Sequence, residues 1–313
     1  MKKVIKINFI IFGILAVLFI AVILFFFQFT HGRKEMDIGA MAQGETGQRY
    51  LNAIKECELW LAEQDSESVS ITSFDGLELQ GLYIPAENPR ACIILMHGYR
   101  SSGINDFSGV MPFYVENGFS VLLVDQRACG KSEGKYITFG VYERQDALYW
   151  AEYMDMRLEN EIPIVLHGLS LGGTSVMMAA DLSLPKTVCG IIADCGFTSP
   201  YDIIAHCGKE WFNIPAYPMV DILSAATKIL GGFGYRACST LDTLAASDLP
   251  IFLIHGSEDT FVPPSMTEKN IAAAKNCKGY LLVPGAGHAL SYLISEQQYQ
   301  ESILAYLDEI LPH

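Results

Sequence analysis

Residues Ile164–Met177 read Ile-Val-Leu-His-Gly-Leu-Ser-Leu-Gly-Gly-Thr-Ser-Val-Met. An apolar run leads into Gly168-x-Ser170-x-Gly172, and small and apolar residues follow. This is the sequence form of a serine held at a sharp turn between a strand and a helix. It constrains the chain to a strand–turn–helix unit at this point. It also names one atom, the Ser170 hydroxyl oxygen, as the centre of any chemistry.

The surrounding pattern extends the same architecture. Val69–Phe74 and Leu77–Ile84 alternate around Asp75-Gly76, which predicts a hairpin with a two-residue turn. Short apolar runs follow at Ala91–Met96, Phe119–Val124, Pro163–Leu166, Val188–Ala193, Pro250–Ile254 and Gly279–Val283. Runs this apolar suit parallel strands covered on both faces. Between them lie helix-length segments such as Val141–Arg157, Thr174–Leu182 and Ser265–Asn276. Alternating strands and helices after an opening hairpin predict an α/β sheet with an antiparallel start. Tyr50–Gln64 predicts a further helix packed on the domain, with Leu51, Ile54 and Leu61 on one face. One interval breaks the rhythm. About 197–247 has no strand pattern but holds Trp211, Phe212, Tyr217 and a glycine cluster at Gly231, Gly232 and Gly234. A connection this long inside a compact domain is usually functional, so a mostly helical cap over the strand ends is expected.

The N-terminus has a different solvent. Ile7–Phe29 contains no charged residue, and Lys2, Lys3 and Lys6 precede it while Arg33 and Lys34 follow. As a helix it would extend roughly 35 Å, against about 30 Å of bilayer hydrocarbon. It is longer than a signal-peptide core and ends in Phe25-Phe26-Phe27-Gln28-Phe29 with no small-x-small site beside it. The expected organisation is a transmembrane segment over 1–31, a linker over 32–49 and a catalytic domain over 50–313. The lysines favour a cytoplasmic N-terminus and an extracytoplasmic domain. The net charge of −14 argues against nucleic acid and against adhesion to anionic lipid, so the domain is expected to be soluble and merely tethered. Protein partners leave no trace in the sequence. The eight cysteines form no Cys-x-x-Cys pair, which speaks against a zinc or thioredoxin-like site. Cys92 and Cys189 lie in apolar runs that suit buried thiols, and Cys207 with Cys238 is the pair most open to bridging.

A serine hydroxyl becomes a useful nucleophile when a base removes its proton, and a histidine oriented by a carboxylate is the usual base. The run Pro250–Ile254 leads into His255-Gly256-Ser257-Glu258-Asp259, which puts an acidic turn just past a buried strand. The next run ends at Val283 and leads into Pro284-Gly285-Ala286-Gly287-His288. Ser170, Asp259 and His288 therefore follow in the order nucleophile, acid, base, each beyond its own strand. Glu258 and Asp194 are the alternative acids. The oxyanion of an acyl-transfer intermediate needs two donors. The Leu171 amide at the helix start and the Tyr99 amide in Met96-His97-Gly98-Tyr99 are the candidates, with Gly98 free to take an unusual backbone angle. His97 is expected to shape that loop and His167 to be structural. Arg127, Glu143 and Asp146 are expected to fix loops and a helix start by ion pairing. Gly130-Lys131-Ser132 is not a phosphate loop, because the glycine that opens Gly-x-x-x-x-Gly-Lys-Ser is missing.

Together these stretches resemble the α/β-hydrolase superfamily of serine hydrolases. The resemblance is carried by Leu95-Met96-His97-Gly98-Tyr99, Asp125–Gly134, Gly168–Gly173, His255–Asp259 and Gly285–His288, and it covers the chain from about Val69 onward. It implies an α/β-hydrolase fold: an eight-stranded, mostly parallel sheet with helices on both faces, here with a helical cap insertion. It also implies a Ser-His-Asp triad and no metal or organic cofactor. Ala128 stands where the family's Asp-x-Arg-Gly stretch usually has glycine, and the N-terminal segment lies outside the family pattern. The expected activity is cleavage of an ester, thioester or amide through an acyl-enzyme, in the manner of an esterase or lipase. A serine peptidase of the same fold and a catalytically silent binding protein are the alternatives. The cap aromatics hint at an apolar acyl group.

Overall fold

The structure, a computed structural model, describes residues 2–35 and 44–311. Its centre is an eight-stranded sheet in the order β1-β2-β4-β3-β5-β6-β7-β8. The strands are β1 (Glu67–Thr72), β2 (Glu78–Ile84), β3 (Cys92–Met96), β4 (Ser120–Val124), β5 (Ile164–Leu169), β6 (Val188–Asp194), β7 (Ile251–Gly256) and β8 (Cys277–Val283). β1 and β2 pair antiparallel to one another, β2 pairs antiparallel to β4, and all later pairings are parallel. This is the α/β-hydrolase fold, in the arrangement expected from the hairpin and the apolar runs. The runs are apolar because they are covered twice. Every residue of β3, β4, β5 and β7 is buried.

Helices supply that cover. α1 (Lys2–His31) and α2 (Gly44–Leu61) precede the sheet. On one face lie α3 (Gly103–Phe107), α4 (Val110–Glu116) and, from the C-terminus, α12 (Glu296–Ile310), which bring Phe107, Tyr114, Tyr299 and Leu307 into one core. On the other lie α5 (Glu143–Arg157) and α6 (Leu171–Ala179), which bury Trp150, Met154 and Val176. Each such fully buried large side chain is worth about 1.5–3 kcal/mol of transfer free energy. α10 (Pro264–Ala273) and α11 (Ser291–Ile294) complete the cover between and after the last strands.

The interval without strands is helical, as expected for a cap: α7 (Pro200–Phe212), α8 (Ala216–Gly231) and α9 (Thr240–Ala246). Ser199 caps α7 by accepting from the Asp202 amide at 3.1 Å, with Pro200 at the first helical position. Asn213 and Gly232 end α7 and α8 in the left-handed conformation.

Several local expectations are corrected. The hairpin turn is five residues, Ser73 to Leu77, rather than two. Ser73 N still donates to the Leu77 carbonyl at 2.8 Å, but Ser73 Oγ takes the return bond from the Leu77 amide and donates to Asp75. Gly76 takes φ +86° there. Glu143 forms no ion pair among the described residues; its carboxylate accepts from the Thr138 and Gly140 amides at 2.7 and 2.8 Å. Arg127 and Asp146 do pair, at 2.6 Å, and Arg127 also reaches Asp75 at 3.0 Å. Ala128, where the resembled stretch usually has glycine, adopts φ +60° in the left-handed region, at a cost of about 1–2 kcal/mol. All eight cysteines are free thiols, Cys207 and Cys238 included.

The N-terminal segment is more than a tether. Of the expected linker, 36–43 lies outside the described residues and Gly44–Arg49 already belongs to α2. The end of α1 is built into the domain. Phe27 and His31 are buried. His31 Nδ1 donates to the Ile137 carbonyl at 2.8 Å, and its Nε2 accepts from the Tyr235 hydroxyl at 2.7 Å. The chain just beyond pairs with Lys135–Ile137: Ile137 N donates to His31 O, and Arg33 N to Lys135 O.

Candidate active site

The elbow after β5 is shaped by close backbone approach. A Cβ on Gly172 would sit 1.8 Å from the Met96 carbonyl oxygen, and one on Gly168 would sit 2.2 Å from the Gly172 backbone. Only glycine lets α6 start this near β3 and β5. Ser170 takes the strain, with φ +55° and ψ −113°, and its amide donates to the Asp194 carbonyl at 2.8 Å. A backbone held this way stores on the order of 1–3 kcal/mol and persists because its surroundings fix it.

The strained turn presents the hydroxyl to a histidine. Ser170 Oγ lies 2.8 Å from His288 Nε2, and His288 Nδ1 lies 2.7 Å from Asp259 Oδ2. With the carboxylate accepting from Nδ1–H, the ring's other nitrogen is left to accept the serine proton. Asp259 sits in the turn after β7, where its Oδ1 accepts from the Phe261 and Val262 amides at 2.9 Å each. Burial acts to raise its pKa. Hydrogen bonds from His255 and His288, the charge of His288 and the Val262 amide outweigh burial and hold the carboxyl well below the usual carboxylate range. Glu258, the adjacent alternative, is exposed. Asp194 is buried, and burial raises its carboxyl to about 6. Its side-chain partners are the Ser291 hydroxyl at 3.4 Å and the Tyr299 hydroxyl, not His288.

β3 hydrogen-bonds both β4 and β5, so the chain switches direction across the sheet there, and the loop after β3 faces the elbow. Gly98 lies against Ser170, where an added Cβ would be 3.4 Å from the serine Cβ. The left-handed residue of this loop is Arg100, at φ +57°, rather than Gly98 as expected. His97 is buried and shapes the loop: its Nε2 accepts from the Gln126 amide at 3.1 Å, which leaves Nδ1–H to donate to the Gly98 carbonyl at 2.8 Å. Asp106 accepts from the Gly98 amide and from Ser101 Oγ, both at 2.6 Å. Among the described residues, neither the Tyr99 amide nor the Leu171 amide has a backbone or side-chain acceptor. Both amides are thus open donors.

Two features of the site go beyond what the sequence singles out. His255 packs on the far side of Asp259, with Nε2 3.2 Å from Oδ2 and 2.8 Å from the Val262 carbonyl, and Nδ1 2.7 Å from Thr267 Oγ1. A histidine four residues before the acid, at the end of a strand, was the available cue. The second is the roof over His288. Phe261 lies 4.8 Å from its ring and stacks on Trp211 of α7 at 5.5 Å. His167 is structural, as expected. It lies 2.8 Å from the Tyr114 hydroxyl, and burial lowers its pKa to about 3. Cys195, Asp259 and His288 bring three ligand-type atoms within 4.8 Å. That set suits a metal poorly: burial keeps the Cys195 thiol far above its ordinary pKa, and Asp259 is already bonded to His288.

Above Ser170 opens a pocket bounded by α7, α8 and α1. Trp211 and Phe212 line it, whereas Tyr217 faces outward and is 79% exposed. Among the described residues none of its lining side chains is charged.

The model of the prolyl oligopeptidase family matches residues 105–313, about two thirds of the chain, including Ser170, Asp259 and His288. Among curated proteins, YqkD of Bacillus subtilis (strain 168) is 24% identical over 248 residues, 79% of this chain and 81% of that one. YfhR of Escherichia coli (strain K12) is 28% identical over 233 residues, 71% and 73% of the two chains. Among solved structures, the Pyrococcus furiosus esterase Pf2001 superposes with a TM-score of 0.64 at 23% identity, covering 82% of this chain and 94% of the esterase.

Proposed function

The chain belongs to the prolyl oligopeptidase family, and from that premise we propose that it is a serine hydrolase of esterase type, anchored in a membrane by α1. The observation that carries this reading is the unbroken chain Ser170–His288–Asp259, with contacts of 2.8 and 2.7 Å. Ser170 Oγ attacks the acyl carbon while its proton passes to His288 Nε2. The new O–C bond forms as the carbonyl electrons move onto oxygen, and the Tyr99 and Leu171 amides stabilise that charge. The oxyanion collapses and the bond to the leaving oxygen breaks, with the proton passing from His288 to the departing alkoxide. Water then repeats the sequence on the acyl-enzyme, releasing a carboxylic acid and restoring the Ser170 hydroxyl. Asp259 holds the His288 tautomer and stabilises the imidazolium, and no metal or organic cofactor is required.

The family name favours a second reading, a peptidase. A peptidase must fix peptide amides or a charged terminus, and the uncharged pocket over Ser170 supports an apolar acyl group instead. As to the anchor, cleavage after the apolar core would remove His31 and Phe27 from the domain interior, which supports a retained helix. The N-terminal lysines support a cytoplasmic N-terminus with the domain on the other side. The test is turnover of p-nitrophenyl esters of rising chain length beside aminoacyl amides, with Ser170→Ala as control. Ester turnover that vanishes in the variant is expected. Amide turnover exceeding ester turnover would establish the peptidase instead. Full recovery of intact protein without detergent would refute the anchor.

A further inference from the structure

We propose that the pocket opens sideways into the bilayer between α1 and the cap, and that its substrate is a long-chain fatty acyl ester dissolved in the membrane. This rests on the serine-hydrolase reading and adds the substrate class and its route.

α1 is itself a wall of the pocket. Phe19, Val22, Ile23 and Phe26 face the cavity from the membrane helix, and Phe29 and Thr30 bring it to the level of Tyr99 and Ser170. From Phe19 to Thr30 the helix rises about 16 Å, the reach of a fatty acyl chain rather than of an acetyl group. Helices that merely anchor a domain would close on one another, since packed interiors leave few voids larger than a water. Here the apolar void persists and leads to the serine.

The length of α1 fixes the depth of the cap. Between Ile7 and Phe19 the helix rises about 18 Å, well short of about 30 Å of hydrocarbon. If α1 spans, the stretch beside the cap must also lie in lipid, which immerses the cap edge by about 10 Å, the depth at which interfacial helices lie. The cap surface suits that position. Trp211, Phe212 and Tyr217 are 55, 46 and 79% exposed, and Ile229 is 85% exposed. Phe212 packs its ring against Phe26 and Phe29 of α1, so this apolar surface runs on into the helix.

The pocket wall is also fastened to the chemistry. The Tyr99 hydroxyl donates to the Thr30 carbonyl at 2.7 Å, and Arg100 Nη2 donates to the Phe29 and Gly32 carbonyls at 2.8 Å each. The Phe29 and Thr30 carbonyls are open acceptors of the α1 C-terminus, which favours a cation, and Gly32 lies just past it. The loop that offers the Tyr99 amide to an oxyanion is thus held by the last turn of the membrane helix.

The experiment uses the full-length protein in liposomes or detergent micelles. It measures kcat/KM for palmitoyl against butyryl p-nitrophenyl esters in wild type, Ile23→Trp and Leu24→Trp. Ile23 faces the pocket, and Leu24 is outside its lining and 46% exposed. The wild type should prefer palmitoyl. Ile23→Trp should lower the palmitoyl-to-butyryl ratio at least tenfold, and Leu24→Trp should leave it within about twofold. Equal ratios in the two tryptophan variants, or a wild type that prefers butyryl, would overturn the proposal. Fluorophosphonate labelling of each protein separates the two levels. Labelled Ser170 with an unmoved ratio defeats the membrane route alone, whereas no labelling and no turnover of either ester defeats the serine-hydrolase reading beneath it.

Discussion

On one side of Ser170, His288, Asp259 and His255 hold one another through polar contacts of 2.7–3.2 Å, on turns that close backbone packing fixes. On the other side, α1, α7 and α8 surround a cavity with side chains that share only their lack of charge. Directional bonds make the first side intolerant of small displacements, because a misplaced donor loses most of its effect. Non-directional burial leaves the second side free to vary in shape, and on the proposed reading that shape selects the substrate. The proposed function therefore puts chemistry and selectivity on separable parts of the molecule, joined where Tyr99 and Arg100 bond the end of α1.

Separability is open to attack through its largest consequence. Asp259→Asn should lower turnover by roughly 10⁴-fold, because the amide cannot hold the productive His288 tautomer. The ratio of long-ester to short-ester turnover should stay where it was, and a shift in that ratio would show that the triad also shapes the pocket. Asp194→Asn should change turnover by far less than Asp259→Asn, measured under the same conditions.

The same substitution made on each side sharpens the contrast. Gly172→Ala places a methyl 1.8 Å from the Met96 carbonyl and should destabilise the fold by about 3 kcal/mol, seen as a large fall in melting temperature. Gly208→Ala, on the cap helix α7 with nothing within 4 Å, should be neutral or stabilising by about 0.5–1 kcal/mol. A comparable loss in both variants would mean that the cap is packed as tightly as the elbow.

A smaller effect comes from pH. His167, on β5 three residues before the nucleophile, has its pKa lowered to about 3 by burial. The unfolded chain, with an ordinary histidine near 6.5, then binds the proton first as pH falls. Stability present above about 6.5 should be lost progressively toward 3, by about 2 kcal/mol between pH 7 and pH 5. Thermal melts of wild type should show that slope, and His167→Gln should flatten it.

The polar side of the site was largely legible in the sequence and the apolar side was not. Ser170, Asp259 and His288 each follow a short apolar strand, and such strands leave a pattern. Gly168 and Gly172 mark where backbones meet, and glycine is conspicuous. Asp259 over Glu258 is consistent with a turn that buries one carboxylate and exposes its neighbour. His255 escaped because its link to Asp259 arises from the fold of one turn. The role of Phe19–Phe26 escaped for a more general reason. A helix apolar on every side announces lipid or burial, and nothing in its composition separates residues that face lipid from those that face a cavity. Likewise Arg33, read as a flanking charge, in fact donates to the Ser132 and Gly130 carbonyls beside the domain.

The central claim is that Ser170 is a nucleophile activated by His288. Its most direct test is to react the full-length protein in detergent with a fluorophosphonate, digest it and locate the adduct by mass spectrometry. The adduct should lie on the peptide containing Ser170, be absent from Ser170→Ala and form much more slowly in His288→Ala. An adduct on another residue, or equal labelling of wild type and Ser170→Ala, would contradict the account.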